Sequence, residues 1–76
     1  MKPQERRAIL REIDRLAEVY GLKDGLEADE KSICDELRFD LENFLYSQLG
    51  YAPGVTVTVE DGIVVFRVGS LRYRWN

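Results

Sequence analysis

Two glycine-containing turns constrain this chain more than any other feature. Asp61-Gly62 and Gly69-Ser70 divide its last third into three strand-like runs, Val55–Val59, Ile63–Val68 and Leu71–Trp75. Asp-Gly suits a two-residue type I′ turn and Gly-Ser a type II′ turn, because glycine accepts the positive φ those corners demand. With both reversals minimal, Val59 lies beside Val64, Val57 beside Phe66 and Phe66 beside Tyr73. The strand period of two then sorts the side chains. One face holds Val55, Val57, Val59, Val64, Phe66, Val68, Leu71, Tyr73 and Trp75. The other holds Thr56, Thr58, Ile63, Val65, Arg67, Arg72 and Arg74.

Two helices are expected ahead of this meander. The first spans about 3–20, with proline tolerated in the first turn, where the N–H groups lack intrahelical partners. Ile9, Ile13, Leu16 and Tyr20 recur at helical spacing, and Gly21 is a natural left-handed cap. Asp24-Gly25-Leu26-Glu27 reads as a capping box opening a second helix, from 25 or 26 to Leu49, with Gly50 ending it and Pro53 barring its continuation. Its apolar arc is Leu26, Ile33, Cys34, Leu37, Leu41, Phe44 and Leu45. The expected fold class is therefore α+β: a two-helix hairpin packed on one face of a three-stranded antiparallel meander. Seventy-six residues make one small domain with no room for a second core.

Composition narrows the chemistry. The chain contains no histidine, so the commonest acid–base residue near neutral pH and every His-activated nucleophile are missing. Cys34 lies on an apolar arc, where a thiol is ordinarily an inert small hydrophobe. The glycines serve caps and turns, and no phosphate-cradling loop remains. Glu36, Asp40 and Asn43 share a helix face and Glu27, Asp29 and Glu30 cluster upstream, but without a wrapping loop they read as a solvated surface. No enzyme, cofactor or metal is expected. No apolar run approaches the ~20 residues of a membrane span and no leader pattern is visible, so the expected location is cytoplasmic.

Charge is segregated along the chain. The net of −3 conceals a middle third, 24–49, with eight acids against Lys31 and Arg38, flanked by residues 1–23 at +2 and residues 50–76 at +1. Such asymmetry favours oriented contacts over general nucleic-acid affinity.

Two constellations are candidate binding surfaces. Phe39 and Tyr46 fall seven residues apart, opposite the apolar arc of helix two and beside Asp35, Glu42 and Arg38. They form either a protein-binding patch, since aromatics anchor interface centres, or a second buried face if helix two is sandwiched. Arg67 and Arg72 are cross-strand neighbours with Arg74 two residues along. Like charges in that position do not help a fold, so the trio reads as a socket for carboxylates or phosphates, or as a guard on an exposed sheet.

The leading expectation is a small acidic protein-binding module, a regulator or inhibitor occupying a surface of a larger protein. Small acidic inhibitors of phages and mobile elements, whose acidic surface imitates a phosphate backbone, offer an analogy of size and charge alone. Alternatives are nucleic-acid binding through the arginine face and self-association into a homodimer. The helix-helix-hairpin order overlaps part of a winged-helix domain, but a third helix is missing and the helix that should be basic is acidic. Double-stranded-RNA-binding domains have a different element order.

Overall fold

The computed structural model describes residues 2–24 and 30–75. Helix α1 runs Pro3–Val19, a short 3-10 turn covers Leu22–Asp24, α2 runs Glu30–Leu49, and β1 (Val55–Glu60), β2 (Ile63–Val68) and β3 (Leu71–Trp75) follow. The α+β order expected from the sequence is the order observed.

Local chemistry explains the boundaries. At the start of α1 the Glu5 carboxylate accepts the Lys2 backbone N–H at 2.9 Å, satisfying a donor that has no partner inside the helix. The helix stops at Val19, one residue short of expectation, and Gly21 follows with φ of 66°. Gly50 closes α2 with φ of 80°, its N–H reaching the Tyr46 carbonyl at 3.0 Å. The expected start of α2 at 25 or 26, with its capping box and Leu26, falls on 25–29, outside the described residues; the described helix begins at Glu30.

The sheet order is β1-β2-β3, antiparallel throughout. Asp61 and Gly62 both have positive φ, 55° and 78°, as a type I′ corner requires, and Gly69 has φ of 58°. The register matches the minimal-turn reading pair for pair: Val57 opposite Phe66, Phe66 opposite Tyr73, Arg67 opposite Arg72. The Gly69 N–H also bonds the Gly54 carbonyl at 2.9 Å, tying the second turn to the approach of β1.

Both helices cover the same sheet face, α2 against β1 and α1 against β3. Ile9, Ile13, Leu16 and Ala17 from α1 meet Cys34, Leu37, Leu41 and Leu45 from α2, above Val57, Val64, Phe66, Val68 and Leu71. Phe66 on the central strand is fully buried, while Tyr73 and Trp75 pack on the core from its margin. Long-range polar contacts lock the layers. Tyr20 Oη donates to Asp40 Oδ2 at 2.5 Å, joining the end of α1 to α2, and Tyr73 Oη donates to Asp14 Oδ1 at 3.1 Å, joining β3 to α1.

Candidate functional site

The far side of α2 is open. Phe39 is 63% and Tyr46 58% exposed, which overturns the sandwiched-helix alternative: α2 turns its apolar arc to the core, and among the described residues nothing covers these two rings. At 1.5 Å rise per residue the two rings stand ~10 Å apart along the axis. Asp35 and Glu42 alternate with them at i, i+4, i+7 and i+11, so the four form one stripe. Arg38 Nη1 bonds Glu42 Oε1 at 2.9 Å and draws off part of that charge. Asp35 and Glu36 have no cationic partner among the described residues.

Beside Phe39 lies an open recess of about 570 Å³, bordered by Tyr20, Ser32, Asp35, Glu36, Arg38 and Asp40. The Tyr20 hydrogen bond to Asp40, with burial adding to it, pushes the phenol up to about 12. Burial, with Glu30 and Asp35 nearby, raises the Cys34 thiol above its ordinary value, so the sulfur is held protonated and poorly nucleophilic. Among the described residues no three Cys, Asp or Glu side chains converge as a metal cage.

The outer sheet face differs from a free anion socket. Glu60, at the end of β1, shares the parity of Thr56 and Thr58 and therefore points to the arginine side. Its carboxylate accepts Arg67 Nη2 at 3.2 Å and Arg72 Nη2 at 3.3 Å, and Thr58 Oγ1 donates to it at 3.2 Å. One carboxylate thus bridges the two opposed guanidinium groups and cancels the repulsion their pairing would create. Glu60 faces Ile63 and Arg67 faces Thr56, so the bridge passes over the row between them, where Val65 lies. Val65 is 0% exposed although it faces away from the helices. Strand parity set Val65 among the arginines, and long side chains of that kind can lay their aliphatic stems along apolar surface. Arg74 has no ion-pair partner among the described residues.

The structure thus brings Asp35, Phe39, Glu42 and Tyr46 together on α2, and Arg67, Arg72 and Arg74 together on the opposite side of the molecule. The two sets belong to separate surfaces. Glu60 was missed in sequence although strand parity alone places it. Tyr51, 59% exposed just beyond α2, was missed because it lies outside every periodic segment. No protein family, curated protein or solved structure matches this chain.

Proposed function

We propose that this chain is a non-enzymatic protein-binding module, a regulator or inhibitor that sets the α2 stripe against a larger protein. The observation that carries the reading is the exposure of Phe39 and Tyr46 on one acidic helix face. Two large aromatics left in water cost the isolated molecule hydrophobic free energy that a partner would recover. Asp35 and Glu36 beside them select a partner surface that is basic around an apolar pocket. Nucleic-acid binding through the arginines is disfavoured, because Glu60 already takes up Arg67 and Arg72 and the net charge of −3 repels phosphate.

The test is affinity capture from the native host, followed by titration of the purified partner against wild type and the Phe39→Ala/Tyr46→Ala variant. A variant with an unchanged circular dichroism spectrum and affinity weaker by at least ~30-fold supports the reading, since truncating even one anchoring interface aromatic costs ~2 kcal/mol or more. Undiminished affinity removes the stripe as the site.

A further inference from the structure

The two edges of the sheet differ, and the difference points to a second surface. In a two-residue hairpin the pair flanking the turn is hydrogen-bonded, and bonded pairs alternate outward from it. Counting from Val68 and Leu71, the bonded pairs are Val68–Leu71, Phe66–Tyr73 and Val64–Trp75. Arg72 and Arg74 therefore turn their backbone N–H and C=O away from β2, toward the open edge. No strand or loop among the described residues pairs with them.

This open edge is chemically distinctive. Arg72 and Arg74 stand on its outer side, Arg74 without an ion-pair partner, and Arg72 is steadied by a single contact to Glu60. At the beginning of β3 an open recess of about 430 Å³ is bordered by Arg6 of α1 together with Ser70, Leu71 and Arg72. On the inner side Tyr73 and Trp75 are half-buried. Reading outward, the strip offers main-chain donors and acceptors, a cationic upper rim and an aromatic lower shelf.

We infer that the β3 edge docks an extended acidic segment of a partner protein, which adds to the sheet as a fourth strand. Alternate side chains of an added strand face opposite sides. Acids at every second position would meet Arg72 and Arg74, with an anion at one end reaching the Arg6 recess, while the intervening apolar residues would lie along Tyr73 and Trp75. A second copy of this chain fits poorly: β3 against β3 in antiparallel register sets Arg72 opposite Arg74 or opposite itself, and like charges directly opposed are unfavourable.

The probe is a fluorescein-labelled eight-residue peptide alternating glutamate with valine or threonine, titrated at 50 mM salt by fluorescence anisotropy. Two further peptides carry N-methyl groups on the odd or on the even amides. The expected result is binding at least tenfold tighter than the lysine counterpart, lost when one methylation frame is used and kept with the other. Amide exchange at Arg72 and Arg74 should slow on binding, with no change at Val57. Arg72→Ala/Arg74→Ala should weaken binding at least tenfold; should that variant unfold, Arg74→Glu should do the same. No binding, equal binding of the lysine peptide, equal tolerance of both methylation frames, or tighter binding of an eight-nucleotide oligothymidylate would each overturn the inference.

Discussion

Glu60 shows how one side chain can reconcile a strand pairing that is otherwise unfavourable. Arg67 and Arg72 face each other across β2 and β3, and the carboxylate accepts from both. All three groups are more than a third exposed, so solvent screens the attraction and its contribution is at most about 1 kcal/mol. Glu60→Gln should lower the unfolding free energy measured in urea by that amount at low salt and by much less in 0.5 M NaCl, where screening acts within a few ångströms. A loss independent of salt would instead assign the residue's role to packing over Val65. Tyr20 makes the second residue-scale case. Its folded phenol is raised to about 12, chiefly by the hydrogen bond to Asp40, against about 10 in an unfolded chain. The folded state therefore holds a proton that the unfolded state releases between those values. This contribution is complete below pH 10 and declines as pH climbs through 12. Tyr20→Phe should be less stable by about 1 kcal/mol at pH 8, and that gap should narrow by pH 11 when urea midpoints of the two proteins are compared. A gap unchanged with pH would deny the bond its part in the linkage.

The elements show why so much of the fold was legible. The turn glycines set φ, φ set the turn type, and turn type set register, so every cross-strand pair followed from two dipeptides. Gly62, with φ of 78° and no atom within 4 Å of a built Cβ, is held by conformation alone, whereas Gly54 has open space and no positive φ. Gly62→Ala should therefore cost about 1–2 kcal/mol and Gly54→Ala almost nothing, as measured by thermal unfolding. Equal losses would mean that the turn does not set the register. The helices were legible to within a turn at α1, through the Ile9, Ile13, Leu16 spacing and Gly21. What escaped were long-range polar contacts, Tyr20 to Asp40 and Tyr73 to Asp14, because helix periodicity says nothing about which side chains meet across layers. The exposure of Phe39 and Tyr46 also could not be settled by pattern. A helix apolar on two sides is equally consistent with a sandwich, and only the placement of α1 and the sheet on one side of α2 decides between them.

At the scale of the whole molecule, charge and layer order separate the two candidate surfaces. Acid-rich α2 lies over β1, whereas Arg72 and Arg74 stand on β3, with Arg6 of α1 beside the first of them. A molecule so polarised could chain head to tail or extend its sheet through a dimer. Geometry opposes the symmetric sheet routes. Pairing β1 with β1 would set the two strands ~4.8 Å apart, yet α2 rides on β1 in each copy and packed helices need about 8–10 Å between axes. The Val55–Val59 edge, uncharged and regular, would otherwise invite such pairing; the helix above it guards it sterically. Pairing β3 with β3 opposes arginines. Head-to-tail contact would rest on the acidic stripe meeting Arg67, Arg72 and Arg74, of which Glu60 already takes up the first two. The chain should therefore be monomeric by light scattering at 10 and 200 μM, in both 20 and 300 mM salt. A dimer present only at low salt would show the acidic helix face meeting the arginine edge. A salt-indifferent dimer would mean that α2 moves aside from β1, and hydrogen exchange at the Val57 amide would then slow with concentration.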